Sequence, residues 1–321
     1  MDFKDIINSV KTFEGVTRKK DISNITEPLK NIYNISGDVL LDFGDDASAI
    51  DIGEGKVILL AADGIWGQIM NSNPYWAGYC GVLVNVNDIA AMGAKPLAMV
   101  DILSVNNTEI YDELLKGIKD GCKKFNVPIV GGHLHPDADF DSLGISIVGI
   151  GEKNNLITSS GAKPNDKILV AVDLDGRQHP EFPLNWDTTS FKDEDLVQNQ
   201  IKVMEELGKK NLVSAGKDIS NPGMLGTLEM LCETSDVGAK INFKSIPKPE
   251  GISWDDWLKS YPGAGFVLTA KEENTEEIID LLKDYNYTIK IIGDIINENK
   301  MYINYEDECL VLFDQLINPV L

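Results

Sequence analysis

Four aspartates carry the strongest chemical signal in this sequence. Asp45 and Asp46 sit in a Gly-Asp-Asp turn, Asp63 closes an apolar strand, and Asp88 interrupts an otherwise apolar or small run from Tyr79 to Met92. The turn alone is ordinary loop chemistry, since Asp and Gly are default turn residues. Asp88 is less ordinary. An ionised carboxylate on a dry helix face costs several kcal/mol, roughly, unless a cation or several donors compensate it. Backbone amides of a neighbouring loop would satisfy one such residue. If the four converge, their mutual repulsion calls for cations between them. Hard oxygen ligands select Mg2+ or Ca2+, and a few carboxylates plus substrate phosphates are the usual shell of Mg2+. Phosphoryl transfer is the reaction class that such a shell serves, because metal bridging and positioning supply most of its catalysis.

Other residues offer contacts rather than a complete chemistry. Gly131-Gly132-His133 follows a short apolar strand, where two glycines let backbone amides approach a ligand, and His135 and Asp137 follow in the same loop. The two histidines near Asp137 could bind a transition metal, with loop filler and substrate contact as the competing readings. Arg18-Lys19-Lys20 stands out in an acidic chain, either as a phosphate contact or as a solvated run on an N-terminal arm. In Lys217-Asp218-Ile219-Ser220-Asn221-Pro222, Pro222 suits a first helical turn and Ser220 or Asn221 its cap. Lys217 and Asp218 exceed what capping needs, and the amide-rich helix start attracts an anion. The polar stretch from Arg177 to Ser190 holds Arg177, His179, Glu181, Trp186 and Asp187. It reads either as a substrate-reading surface or as an insertion packed on the domain. His133 and Asp218 are the candidates for the chemical step, and His135, Asp137, Arg177, His179, Ser220 and Asn221 those for substrate contact.

The elements that must position these residues follow from periodicity. A short amphipathic helix is expected over residues 2–14. Two strands flank the Gly53-Glu54-Gly55 turn, the second running from Val57 to Ala62. The apolar run from Tyr79 to Met92 reads as a helix buried on most sides and ended by Gly93 and Pro96. Leu97–Val105 is a strand, Thr108 caps a scaffold helix, and the strands Val127–Val130 and Leu143–Ile150 complete the first half. Helices on one face of a sheet leave the other face apolar, and a second copy of the chain is its simplest cover. The second half offers a strand at Lys167–Val172, helices from Glu194 to Leu207 and Thr275 to Lys283, and flanking strands, a second α+β unit. We expect an N-terminal domain over residues 1–155 and a C-terminal substrate domain over residues 156–321.

Composition bounds the function. The chain has 321 residues, 43% hydrophobic and 25% charged, with a formal net charge of −22. That charge argues against a nucleic-acid surface or an anionic membrane. No run approaches the roughly 18 apolar residues of a membrane span, and the acidic N-terminus does not read as a secretory signal. The cysteines Cys80, Cys122, Cys232 and Cys309 lie far apart, as free thiols in a reducing compartment do, so a cytoplasmic protein is expected. There is no GxxxxGK[ST] loop and no GxGxxG after a strand, which leaves P-loop kinases and Rossmann dehydrogenases unsupported.

The segments GDDASAI, AADGIW, NVNDIAAMGAKPLAM, GGHLHPD and KDISNPG, in that order, resemble the superfamily of aminoimidazole ribonucleotide synthetase, thiamine-monophosphate kinase, selenophosphate synthetase and the hydrogenase-maturation dehydratase that makes cyanide ligands. The run WAGYCGVLVNVNDIAAMG and the insert DGRQHPEFPLNWDTTS look most like the synthetase-related methanogenesis marker proteins. The resemblance implies a two-domain α+β synthetase-like fold in a homodimer whose N-terminal sheets pair into a barrel. It implies Mg-ATP near the dimer interface, Mg2+ ligands at Asp45 or Asp46, Asp63 and Asp88, and nucleotide contacts at Asp46, Asn87, Gly131, Gly132, Lys19 and Lys20. It also implies transfer of the γ-phosphate of ATP to an oxygen of a small molecule or a modified protein group. The chain departs from the thiamine-monophosphate kinase pattern at His133 and Asn221, each standing where that branch has an acidic residue. A nucleotide-binding partner or maturation factor that does no chemistry is therefore the alternative to a kinase- or ligase-like enzyme.

Overall fold

The computed structural model describes residues 2–29, 37–105, 109–136, 138–261, 263, 265–317 and 319–321. The first sheet is built from β1 (Val39–Leu41), β2 (Ser48–Gly53), β3 (Lys56–Ile65), β4 (Lys95–Ser104), β5 (Ile129–His135) and β6 (Ser142–Glu152), in the spatial order β1-β2-β3-β6-β4-β5. Only β4 and β5 are parallel. The Tyr111–Phe125 helix carries the chain back between them, as a parallel crossover requires.

Strand alternation decides which face is covered. Val57 and Leu59 of β3, Met99 and Leu103 of β4, and Leu143, Ile145 and Ile147 of β6 are buried with residues of the helices Pro74–Ala91 and Tyr111–Phe125. Leu60, Val100 and Ile102, on the opposite face, are 46%, 46% and 57% exposed. The Pro74–Ala91 helix is capped by Asn73, whose side chain accepts the Trp76 N–H at 3.0 Å. It is left through Gly93 at φ +67°, a conformation that glycine adopts at little cost. The two helices cross closely: a Cβ on Gly78 would stand 2.2 Å from the Leu114 carbonyl oxygen.

The second half comprises β7 (Lys167–Val172), the two-residue strands β8 (Arg177–Gln178) and β9 (Trp186–Asp187), β10 (Ala215–Asp218), β11 (Gly238–Asn242), β12 (Gly265–Ala270), β13 (Thr288–Ile296), β14 (Lys300–Tyr305) and β15 (Glu308–Asp314). Its main sheet runs β10-β12-β7-β13-β11-β14-β15, and β8 and β9 form a separate ribbon. Leu169 and Ala171 of β7 join one apolar cluster with the Glu194–Lys210 helix and the helices of the first half. Ile168 and Val170 point the other way, into a cluster with the Gly223–Thr234 helix. The core of the first half is thus continuous with one face of the second sheet.

Several elements depart from the sequence reading. The Phe3–Thr12 helix buries Phe3, Ile6, Ile7 and Val10 in the second half's outer cluster, with Phe3 against Phe243 and Tyr305 at ring distances of 5.2 and 5.0 Å. Its apolar stripe finds its partners there, so a boundary that groups residues 1–14 with the first sheet does not follow the packing. β3 continues through Ile65 and so contains Asp63. β5 extends to His135, which makes the Gly131–His135 stretch strand rather than loop. The insert after Arg177 packs on the first half: Trp76 stacks on His179 at 4.7 Å and donates its indole N–H to Asn185 Oδ1 at 2.7 Å. Thr108 lies outside the described residues. Among those that are described, no helix is long and apolar enough to cross a membrane.

Candidate functional site

The chemistry-bearing residues meet between the two halves, around a cavity of about 560 Å³. Each arrives on a different element. The loop before β2 brings Asp45 and Asp46, the end of β3 brings Asp63, and the last turns of the Pro74–Ala91 helix bring Asn87 and Asp88. The end of β10 and the loop after it supply Lys217, Asp218, Ser220 and Asn221, and the N-terminal segment supplies Arg18 and Lys19.

The two adjacent aspartates have different jobs. Asp45 accepts the N–H groups of Asp46 at 3.0 Å and of Ser159 at 2.9 Å, which ties its loop to the second half. Burial, then the charge of Asp46, pushes the Asp45 carboxyl up to about 6. Asp46 instead pairs with Lys217 and accepts the Asp218 N–H at 3.3 Å. Its charge adds to the raising of Asp63, Asp88 and Asp218. Both aspartates line the cavity, Asp45 tied to the Ser159 N–H and Asp46 to Lys217.

Charge in the cavity is crowded. Burial, then Asp218, Asp63 and Asp46, raises the Asp88 carboxyl well above the usual carboxylate range. Burial and then Asp46 does the same to Asp218. Asp63 is raised by burial, with Lys19 opposing and Asp46 adding. Burial would lower Lys217, but Asp46 and Asp45 hold it above an ordinary lysine. Lys19 is lowered by burial and by the neighbouring charge of Arg18.

The residues suit a hard cation. Asp46, Asp63, Asp88 and Asp218 share the cavity with Arg18, Lys19 and the paired Lys217, and Asp63, Asp88 and Asp218 are still raised by burial and by neighbouring carboxylates, an arrangement that a divalent ion relieves. Asn87 Oδ1 and Asn221 Oδ1 are buried there without a hydrogen-bond partner among the described residues. Such orphan acceptors are costly unless a ligand supplies a donor or a cation. Among the described residues no three His, Cys, Asp or Glu side chains are grouped to hold an ion by themselves. Mg2+ is commonly bound by one or two carboxylates completed by water and substrate phosphates, so the donor set fits that ion in character.

Other anticipated residues lie elsewhere. Gly131, Gly132, His133 and His135 are exposed on the edge strand β5, away from the cavity wall, with the two imidazole centroids 4.5 Å apart. A Cβ on Gly132 would strike Asp101 Oδ1 at 1.7 Å, so packing accounts for that glycine. Lys20 is exposed and outside the wall. Arg177 Nε donates to Asp187 Oδ2 at 3.2 Å, and His179 is stacked between Trp76 and Phe182. Arg177 is thus held within the insert and His179 at its junction with the first half, and neither lines the cavity. Asp137 lies outside the described residues. Trp66 and Tyr261, which also line the cavity, carry no chemical signal of their own in the sequence, whereas Arg18 stands out in the basic cluster and Lys217 beside Asp218. Lys217 proves fully buried in a short strand.

Residues 44–152 match the family model described as AIR synthase related protein, N-terminal domain, and residues 141–306 the one described as AIR synthase related protein, C-terminal domain. An uncharacterized protein of Methanocaldococcus jannaschii is 48% identical over 98% of this chain and 97% of its own length. The selenide, water dikinase of Clostridioides difficile is 26% identical over 85% of this chain and 88% of its own. The structure of T. maritima PurL complexed with ADP shares the fold, with a TM-score of 0.72 at 18% identity over 90% of this chain. This chain spans about half of PurL, 47% of its length.

Proposed function

The chain belongs to the AIR synthase related family, and from that membership we propose that it is a Mg-ATP-dependent phosphoryl-transfer enzyme. Its acceptor is an oxygen of a small molecule or of a modified protein group. The observation that carries this reading is the convergence of Asp46, Asp63, Asp88 and Asp218 with Lys217 and Lys19 on one cavity between the halves. The dikinase among the relatives and the ADP complex of PurL support it.

Asp46, Asp63, Asp88 and the Asn87 side-chain oxygen would hold Mg2+, which when bound neutralises the charge of the transferring phosphates. Lys19 and Lys217 face the same region and stabilise negative charge that builds on the phosphoryl oxygens. Asp218 lines the same wall beside Lys217, and as a carboxylate it orients the acceptor hydroxyl and takes its proton. A second copy of the chain covers the open face of the first sheet, where Leu60, Val100 and Ile102 are exposed. The result is a homodimer.

Calorimetry with Mg-ATP, followed by assay of ADP release, tests the proposal. Wild-type protein should bind nucleotide in a Mg2+-dependent way, and Asp88→Asn should weaken that binding by about tenfold or more. Equal Mg2+-dependent affinity in the variant would sink the metal assignment. Binding without ADP release across candidate acceptors would favour a nucleotide-binding partner protein that does no chemistry.

A further inference from the structure

The cavity wall holds more than carboxylates and Lys217. The N-terminal segment presents Arg18, whose guanidinium carbon lies 4.7 Å from the centroid of the Trp66 ring, and Tyr261 stands in the same wall. Arg18 is half-buried, and it forms no ion pair among the described residues, although its charge reaches Asp63 and the chain carries a net charge of −22. A guanidinium stacked on an indole spends its face and keeps its in-plane N–H groups, the fork that matches a carboxylate or a phosphate.

Arg18 is held in place rather than carried on a loose arm. The Phe3–Thr12 helix is seated in the core, and Lys259 Nζ donates to Ser9 Oγ at 2.9 Å. Val16 is buried, and Gly15 packs so closely on the loop after β10 that a Cβ would stand 2.2 Å from the Asn221 carbonyl oxygen. Asn221 lines the same cavity as Arg18, and its Oδ1 is buried without a partner among the described residues and so calls for a donor from a ligand. Lys19 follows Arg18 in the same wall, and after burial the charges acting on it are those of Arg18, Asp63, Lys217 and Asp218.

Resting on the phosphoryl-transfer reading, we infer that Arg18, Trp66 and Asn221 form the recognition cradle for the acceptor, an organic molecule that carries an oxyanion and a hydrogen-bond donor. The oxyanion, a carboxylate or a phosphate, takes the in-plane N–H groups of Arg18. The carbon skeleton lies along the exposed part of Trp66, and an N–H or O–H of the acceptor satisfies Asn221 Oδ1. This arrangement leaves Lys19 and Lys217 for the transferring phosphoryl group. It also accounts for three cations gathered in a cavity already rich in carboxylates, because two anions must enter it together.

The test is a calorimetric titration of inorganic phosphate and of benzoate into the full chain, with and without saturating Mg-ADP. Wild type, Arg18→Met, Arg18→Lys and Trp66→Leu are compared after their circular dichroism spectra are shown to coincide. One of the two probes should bind wild type with Mg-ADP present. Its affinity should fall by about tenfold or more in Arg18→Met, recover in part in Arg18→Lys and fall in Trp66→Leu, with Mg-ADP affinity constant to about twofold. Preference for phosphate identifies a phosphomonoester acceptor, and preference for benzoate a carboxylate. The inference is overturned if neither probe binds wild type, or if Arg18→Met weakens Mg-ADP as much as the probe. If no variant binds Mg-ADP while Arg18-dependent probe binding persists, the phosphoryl-transfer reading fails and the cradle stands.

Discussion

Lys217 and Asp46, 171 positions apart in the chain, form a buried ion pair that joins the two halves at the cavity wall, each side chain 4% exposed. Asp46 answers a cation from the second half while it faces the acidic cluster of the first. The pair therefore sets the distance across which any bound cation and phosphate must fit.

Breaking that pair should be expensive. Lys217→Met leaves Asp46 buried beside other carboxylates, and we expect a loss of about 3–5 kcal/mol in urea denaturation without Mg2+. Asp46→Asn in the Lys217→Met background should recover part of it, with a coupling of about 1–3 kcal/mol. Additive losses would show that the two side chains are not paired in solution.

Gly15→Ala should loosen the N-terminal segment without unfolding the protein. The added methyl has no room against the Asn221 carbonyl oxygen, so the arm must move away from the loop after β10. Tryptic cleavage after Arg18 and Lys19 should accelerate by about tenfold, because local opening sets the rate. Unchanged protection would mean that this contact does not hold the arm.

The insert should act as a clamp between the halves. Trp76→Phe keeps an aromatic ring beside His179 but removes the N–H bonded to Asn185, and it should cost about 1–2 kcal/mol. Arg177→Ala should leave nucleotide affinity unchanged, since its partners are Asp187 and Ser190 within the insert. A marked loss of nucleotide or acceptor binding in Arg177→Ala would restore a substrate-reading role to this stretch.

Glu229 should give the protein a distinctive pH dependence. It is fully buried on the Gly223–Thr234 helix, and neither carboxylate oxygen has a hydrogen-bond partner among the described residues. Burial and then the charge of Glu233 push its carboxyl from 4.5 to about 8. The folded chain thus holds this proton more tightly than the unfolded chain. Its contribution to stability is complete below the ordinary glutamate range and is lost as the pH rises through about 8. Glu229→Gln should flatten the pH profile of the urea midpoint between those limits and be the more stable protein at pH 8, by roughly 4 kcal/mol. Parallel profiles for the two proteins would show that Glu229 titrates normally.

Much of the scaffold could be read from local pattern. Lys167–Val172 and Thr275–Lys283 appear at the bounds that periodicity suggests, and the Tyr79–Met92 run is helical through Ala91, with Met92 as the cap before Gly93. The GGHLH stretch was harder, because paired glycines read as a break when taken alone. In the structure, Gly132 is the residue that clears Asp101 in an unbroken strand. The short polar strands of the insert carry no period long enough to recognise, and their place against Trp76 depends on residues about a hundred positions away.

The sequence by itself determined that Asp88 needs a partner, because a charge inside an apolar helix is a local contradiction visible in any window that contains it. It likewise marked Asp45, Asp46 and Asp63 as acidic groups at strand ends, and through five ordered segments it pointed to a family and a reaction class. Only the tertiary structure decided that Asp46 takes Lys217 as its counter-ion while Asp45 accepts the Ser159 N–H. Only there do Arg18 and Trp66 become one end of the same cavity while His133 and His135 stand outside it. The reason is physical. Propensity and periodicity act over a few residues, whereas the meaning of a charged side chain depends on which distant charges the packing of two sheets brings within a few ångströms of it.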